Sequence, residues 1–206
     1  MKKALLLALI AASCISAKAQ KIELGLNGGL APYIWADNTF KNYGGSKKNQ
    51  PGYYGSFRVS LTLVGFQFGL GADMFQTGVK TVDTNTFIGN ITTTTKYNSL
   101  TPYLFLNKIF RLPKSYIYAG ISGGYNTGTA KSQLSSSLIS LPNVNTKYSG
   151  LNAGMQLGYT LNLAKGLGVN AEAGAKYIQM TPESTTGGKS IYQLAFPVSL
   201  GVRYTF

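Results

Sequence analysis

The sequence predicts an all-β protein, specifically a transmembrane antiparallel up-and-down β-barrel of about eight strands. Apolar and polar side chains alternate with period two in segment after segment, and no stretch keeps a helical period. Only 12% of the 206 residues are charged, whereas the chain holds 25 Gly, 14 Tyr and 10 Phe. Short and long connections alternate between the patterned segments, which is typical of strands that run up and down a barrel.

The first element, residues 1–19, is predicted to be a signal peptide. It begins MKK, continues with the apolar run ALLLALIAA and offers Ala17 and Ala19 in the A-x-A cleavage pattern. The apolar run is too short to span a membrane. Cys14, in AASC, leaves open the alternative of a lipoprotein processing site. Residues 20–206 then form one barrel domain, which holds no Cys and needs no disulfide.

The strands follow in order, and each shows the same alternation. The first begins in KIELGLNGG, with Ile22 and Leu24 on one face and Glu23 on the other. The others are YYGSFRVSLTLVG, FQFGLGADMF, NSLTPYLFL, SYIYAGISGGYN, SGLNAGMQLGYT, LGVNAEAGAKY and a last strand from about Ile191 to Phe206. Pro102 cannot donate to a ladder, so it leaves the register of its strand ambiguous. The predicted short connections are 64–66, 107–115 and 161–166, and the long ones are 34–52, 77–96, 127–147 and 178–190.

Charged residues on the Gly-rich polar face are expected to lie inside the barrel as ion pairs. The expected pairs are Arg58 with Asp73, Glu23 with Arg203, and Glu172 with Lys176. A tight turn near Gly65 would bring the first pair together on consecutive strands. The second pair would meet where the first and last strands close the barrel, and the third lies two pleats apart on one strand. The alternative is that all six are scattered surface charges.

Aromatic residues gather near both ends of the predicted strands, where a membrane barrel carries aromatic girdles. Those that border the long loops are Tyr33, Trp35, Tyr53, Tyr54, Tyr97, Tyr125, Tyr148, Tyr177 and Tyr192. Those near the short turns are Phe66, Tyr103, Phe110, Tyr116, Tyr159, Tyr204 and Phe206. Ordinary strand packing is the alternative for any one of them, but their placement at both ends favours girdles.

The last strand carries the most specific motif in the chain. Ser199, Gly201, Tyr204 and Phe206 resemble the terminal assembly signal of small Gram-negative outer-membrane β-barrels, which include OmpA/OmpX-like and PorT-like proteins. The resemblance covers the chain from about Lys21 to Phe206. It implies export through the Sec pathway and assembly by the barrel-assembly machinery. It also implies a monomer in outer-membrane lipid, including lipopolysaccharide.

The chemistry available to the chain is limited, because it has no His. A Ser–His catalytic site is therefore excluded, and loop carboxylates at Asp37, Asp83 and Glu183 have no spacing that supports a site. We expect no enzyme activity, no cofactor, no metal site and no nucleic-acid partner. The predicted role is structural or surface-interactive, with a side-chain-filled lumen. The alternative is a porin-like channel for small solutes or ions.

Basic residues concentrate in the segments predicted as loops or loop edges. They are Lys41, Lys47, Lys48, Lys80, Lys96, Lys131, Lys147 and Lys189. Such a surface could attract phosphorylated lipid headgroups, although solvated loop charge is the simpler interpretation. The Ser- and Thr-rich segments ITTTTK and SQLSSSLIS could likewise bind partners or be solvated extensions of the strands.

Overall fold

The computed structural model describes residues 21–35, 46–85, 89–136, 143–183 and 189–206, so the predicted signal peptide lies outside the described residues. They form ten strands: β1 (Lys21–Leu30), β2 (Tyr33–Trp35), β3 (Ser46–Leu63), β4 (Phe66–Asn85), β5 (Gly89–Arg111), β6 (Ser115–Ser136), β7 (Val144–Ala164), β8 (Leu167–Pro182), β9 (Ile191–Ala195) and β10 (Val198–Thr205). Across these ranges, no helix is long and apolar enough to cross a membrane.

The strands make one antiparallel sheet that closes on itself. Consecutive strands pair from β3 to β9, while β10 pairs with both β8 and β1, and β2 pairs with β9. Pro32 separates β1 from β2, and Pro197 separates β9 from β10, where a proline cannot donate to the ladder. β1 and β2 therefore count as one interrupted transmembrane strand, and so do β9 and β10. Counted in this way, the barrel has the eight strands that the sequence predicts. Among the described residues, β1 joins β10 to β3 and so closes the ladder between the last and first strands, whereas the three-residue β2 pairs with β9 alone.

Short turns lie at one end of the barrel, here called the turn end, together with Lys21 and Phe206. Residues 64–65 and 165–166 are two-residue connections, and residues 112–114 form the third. Val64 and Gly65 have φ angles of 41° and 79°, the backbone that a tight hairpin of this twist requires. The opposite end is called the loop end.

The strands continue further toward the loop end than the sequence predicts. Residues 77–96 and 127–147 were expected to be long loops. Instead β4 and β5 stay paired as far as Asn85 and Gly89, and β6 and β7 stay paired to Ser132 and Val144. Thr-rich, weakly apolar segments continue the ladder because their β-branched side chains favour extended backbone. For the described residues of these segments the prediction is wrong, because they are extensions of the strands; residues 86–88 and 137–142 lie outside the described residues.

The two faces of the sheet have the polarity of a membrane barrel. Outward-facing Leu104, Met155 and Leu200 are 63%, 64% and 72% exposed, whereas inward-facing Arg58 and Lys176 are 3% and 1% exposed. A water-soluble barrel would have the opposite arrangement. In β5 the exposed residues from Leu100 to Phe110, here called the apolar belt, are apolar except for Lys108, whose ammonium lies over the Phe66 ring near the turn end. This stretch is long enough for a tilted strand to cross a hydrocarbon layer. The barrel is therefore transmembrane.

The aromatic residues divide between the two faces. The predicted girdle residues that are exposed on the outer face are Tyr53, Phe66, Phe110, Tyr125, Tyr159, Tyr177, Tyr204 and Phe206. Those that instead lie inside the barrel are Tyr33, Tyr54, Tyr97, Tyr103 and Tyr148, which are buried, and Trp35 and Tyr116, which are half-buried. For these seven the girdle prediction is wrong, because position near a strand end does not decide the face. Their parity along the strand places them beside lumen residues such as Asp73 and Thr101.

Candidate functional site: the ion-paired lumen

The lumen has two layers. Its lower and middle part, toward the turn end, holds all six charged residues that the sequence places inside: Glu23, Arg58, Asp73, Glu172, Lys176 and Arg203. Its upper part, toward the loop end, holds an apolar and aromatic cluster. Charges in such a dry interior are stable only when they are paired and hydrogen-bonded, and that is the arrangement found.

Arg58 and Glu172 form the central ion pair, which crosses the lumen from β3 to β8. The contact is bidentate, with Arg58 Nη2 2.5 Å from Glu172 Oε1 and Nη1 bonded to Oε2. Arg58 Nε donates to the Tyr103 hydroxyl at 2.6 Å, and the Tyr118 hydroxyl donates to Glu172 Oε2 at 2.6 Å. The pair thus has fork geometry and satisfied neighbours, the conditions under which a buried ion pair is tolerated.

The ion pair of Arg203 and Glu23 lies nearer the turn end. Arg203 Nη1 is 2.6 Å from Glu23 Oε1, and the pair joins β10 to β1 where the barrel closes. The Tyr116 hydroxyl donates to Glu23 Oε2 at 2.6 Å, and Gln67 Nε2 donates to Oε1 at 2.9 Å. Arg203 Nη2 also reaches the Tyr118 hydroxyl at 2.5 Å, which links this pair to the central one.

Lys176 and Asp73 form the third ion pair, above the central one. Lys176 Nζ binds Asp73 Oδ2, and the Tyr54 hydroxyl donates to Asp73 Oδ1 at 2.9 Å. The Lys176 ammonium also lies 4.5 Å from the centroid of the Tyr103 ring, within the range of a cation–π contact. Both charged side chains are almost completely buried. The three pairs and their tyrosines therefore form one connected network.

Two of the three expected pairings are wrong. Arg58 does not pair with Asp73, because the β3–β4 register sets Arg58 opposite Gly71 and Asp73 opposite Ser56. Glu172 does not pair with Lys176 either, since the two lie one above the other on β8. In a barrel this narrow, a long side chain reaches the opposite wall more readily than a group two pleats away on its own strand. The Glu23–Arg203 contact is present as expected.

The tyrosines of the network were missed as lumen residues. Tyr103 and Tyr118 are buried, and Gly71 and Gly158 leave the space that their rings occupy. The sequence does contain the signal: Tyr103 has the same parity as Thr101 and Asn107 on β5, and both of those are fully buried. Parity counted from an inward-facing polar residue would have identified them.

The upper part of the lumen is closed by an aromatic plug, formed by Tyr33, Trp35, Phe75, Val79, Tyr97, Tyr148, Ile178 and Met180. Trp35 packs on Tyr97 with ring centroids 4.9 Å apart, and Tyr97 packs on Tyr148 at 6.1 Å. The Tyr148 hydroxyl donates to the Asn98 carbonyl oxygen at 3.0 Å.

On one side of the lumen, some buried polar side chains lack hydrogen bonds. The side chains of Asn27, Asn170 and Ser199, on β1, β8 and β10, are buried without a hydrogen-bond partner among the described residues. A cavity of about 490 Å³ opens at the turn end, with Glu23 and Tyr116 in its lining. Buried amides of this kind usually bind water.

The four residues of the predicted assembly signal lie on both faces of β10. Ser199 is buried in the lumen, and Gly201 faces inward against the Asn27 side chain, where a larger residue would overlap it. Tyr204 and Phe206 point outward at the turn end and pack edge to face, with ring centroids 4.9 Å apart. The Phe206 amide donates to the Ile22 carbonyl oxygen at 2.9 Å, so hydrogen bonding to β1 continues to the last residue.

The conceivable loop carboxylates do not form a described site. Asp37 and the Asp83 side chain lie outside the described residues, and Glu183 follows the end of β8. Within the described ranges, no group of three or more His, Cys, Asp or Glu residues could hold a metal ion.

Comparison with known proteins supports the fold. No family model matches the chain, and no curated protein matches it. Among solved structures, the outer membrane protease OmpT from Escherichia coli has a TM-score of 0.50 at 8% identity, covering 91% of this chain and 93% of that one. Neisserial surface protein A and OprG from Pseudomonas aeruginosa each have a TM-score of 0.48, at 12% and 14% identity. Both cover 91% of this chain, and 97% and 95% of their own.

Because these identities are low, the likeness concerns the fold and not the activity. Together with the outward apolar belt and the buried ion pairs, it shows that the chain has the fold of the outer-membrane β-barrel proteins.

Proposed function

We propose that this protein is a monomeric integral outer-membrane barrel whose role is structural or surface-interactive, with a lumen closed by its own side chains. The observation that carries the proposal is the double closure of the lumen. The ion-pair network crosses it at the level of Arg58 and Glu172, and the aromatic plug fills it nearer the loop end. A barrel of eight strands has an interior that side chains can fill, whereas wide aqueous channels need more strands.

The location follows from the same physical argument. The apolar belt would be unstable in water, and a closed ladder is one of the two backbone arrangements that hydrocarbon tolerates. Outer-membrane lipid, including lipopolysaccharide, is then the immediate partner. Assembly would depend on the barrel-assembly machinery reading Ser199, Gly201, Tyr204 and Phe206, after export of the chain by its signal peptide.

A non-enzymatic role is part of the proposal. The fold is shared with a protease, OmpT, so the fold does not decide the matter. What supports the proposal is composition: the whole chain lacks His, and the buried carboxylates Glu23, Asp73 and Glu172 are each occupied by a cation. These carboxylates are the counter-ions of Arg203, Lys176 and Arg58, which gives them a structural role.

Planar-bilayer recording tests the closed lumen. The wild-type protein should give no large, stable single-channel current. Replacing the plug residue Tyr97 by Ala should leave conductance unchanged, because the ion-pair network still closes the lumen below it. A large and stable wild-type current would overturn the closed-lumen proposal and favour the porin-like channel.

The membrane barrel itself has a separate test. Unboiled protein should migrate differently from boiled protein on a detergent gel, and it should partition into the detergent phase. Equal migration together with aqueous partitioning would contradict the membrane barrel.

A narrow ion pathway is the second candidate function. The polar side chains of Asn27, Asn170 and Ser199 favour it, because water bound to them would form a hydrated strip along one wall above the cavity at the turn end. Small, flickering currents that disappear in an Asn27→Leu, Asn170→Leu variant would support this candidate. Equal currents in the variant and the wild type would exclude that strip as the pathway.

A further inference from the structure

A row of lysines crosses the outer face of the barrel near the loop end, one from each of four neighbouring strands. The lysine row consists of Lys80 on β4, Lys96 on β5, Lys131 on β6 and Lys147 on β7. In the strand register Lys96 is directly opposite Lys131. The remaining neighbours in the row are offset by two residues.

The lysine row is unfavourable unless something neutralises it. Like charges directly opposite each other destabilise an antiparallel pair. Lys80, Lys96 and Lys131 are exposed, and in the part of the chain that the structure describes, all ion pairs join lumen residues. An anion supplied from outside the chain would remove this repulsion.

A recess suited to an anionic group lies beside Lys96. It has a volume of about 240 Å³, and Lys96, Gln50, Gln76 and Thr77 are in its lining. The residue opposite Lys96 on β4 is Gly78, which has no side chain of its own, and the Gln50 amide lies over it. Ammonium and amide donors match the oxygens of a phosphate group.

An apolar groove continues from the recess toward the membrane. It has a volume of about 710 Å³ and is lined in part by Tyr53, Met74 and Leu100, which are 56%, 57% and 48% exposed. The β4–β5 register orders three successive pairs along the barrel axis: Met74 with Leu100, then Gln76 with Asn98, then Gly78 with Lys96. Polarity therefore changes from apolar to amide to cationic over four residues of strand.

We propose that this outer-face site on β3 to β6 binds one phosphorylated glycolipid of the outer leaflet. The proposal rests on the outer-membrane location proposed above and adds a defined binding site to it. The phosphate lies between Lys96 and Lys131, and an acyl chain lies over Met74 and Leu100. The amides of Gln76 and Asn98 lie between these two regions, at the height of the sugar, which favours a glycolipid over a phospholipid.

The experiment measures binding of lipid A, a phosphorylated glycolipid, to the purified full-length barrel in detergent by native mass spectrometry. The test variant is Lys96→Gln with Lys131→Gln. The matched control is Lys114→Gln with Lys165→Gln, which removes the same charge from exposed positions at the turn end. We expect the test variant to bind about 30-fold more weakly, equivalent to about 2 kcal/mol for two surface lysines. The control should bind like the wild type.

Two further probes identify the group that is recognised. Dephosphorylated lipid A should bind the wild type as weakly as lipid A binds the test variant, and phosphatidylglycerol should compete poorly. A Leu100→Thr variant, which keeps every charge, should also weaken binding by removing apolar contact with the acyl chain.

Several results would overturn the site. They are equal loss of binding in the test and control variants, full binding of the dephosphorylated lipid, or equal competition by phosphatidylglycerol. Heat-modifiable migration is measured for every protein. A variant that remains a folded barrel yet binds normally argues against this site alone, whereas a wild type without heat-modifiable migration argues against the membrane barrel.

Discussion

The pairing of Arg58 with Glu172 across the lumen predicts strong energetic coupling between the two positions. Replacing Arg58 by Met leaves Glu172 with the Tyr118 hydroxyl at 2.6 Å and Arg203 Nη2 at 3.9 Å, so the carboxylate keeps part of its compensation. Breaking a buried ion pair by removing one partner typically costs about 3–5 kcal/mol, and we expect a value near the lower end. Replacing Glu172 by Gln should cost about as much, because Arg58 keeps only its tyrosine partners.

The double variant should be far less unstable than the sum of the single variants. Once both charges are absent, neither is left buried alone, so we expect a coupling energy of about 2–3 kcal/mol. Equilibrium urea unfolding in lipid vesicles measures it. The fluorescence of Trp35, the only Trp in the chain, reports on unfolding of the plug.

The matched comparison is a cycle between Arg58 and Asp73. No hydrogen bond joins these two directly in the described residues; the Tyr54 hydroxyl donates to Asp73 at 2.9 Å and lies 3.4 Å from Arg58 Nη2. Their coupling should stay below about 1 kcal/mol. Additivity of Arg58 and Glu172 within about 0.5 kcal/mol, or stronger coupling of Arg58 to Asp73, would refute the cross-lumen pairing.

Three further changes test other parts of the barrel. Val64→Asn should raise the free energy of unfolding by up to about 1 kcal/mol, because Asn tolerates the positive φ of this turn better than a β-branched residue; a lower free energy of unfolding would contradict the turn geometry. Gly158→Val should lower stability by about 1–3 kcal/mol because the added carbons overlap the Tyr118 ring, and Gly158→Val with Tyr118→Phe should not restore it. Deletion of Phe206 should reduce the amount of heat-modifiable protein in envelopes; normal insertion without it would remove the assembly-signal proposal.

Period-two alternation was sufficient to predict the barrel and the membrane-facing side of most strands. The β10 alternation placed Leu200 and Tyr204 outside and Arg203 inside, and the structure agrees. The Glu23–Arg203 contact was predictable because closure of an up-and-down barrel brings the first and last strands together, whatever the details of register.

The alternation of side chains did not predict which charged residues form ion pairs or where the strands end. It says which face a side chain occupies but not its height, so Arg58 was assigned to the carboxylate on the next strand and not to Glu172 across the lumen. Polar segments were also predicted to be loops because of their composition, although Lys80 and Lys96 lie on paired strands. The outer-face lysine row was therefore invisible in the sequence, where the same residues were scattered loop charges.

The sequence by itself determined the fold class, the inward location of the charges and the outward position of Tyr204 and Phe206 at the turn end, because each of these depends on local periodicity along one strand. Only the tertiary structure decided which charges meet, which tyrosines close the lumen and which lysines lie side by side. Those contacts join strands far apart in the chain, and they depend on register and barrel diameter, which are properties of the closed sheet and of no single segment.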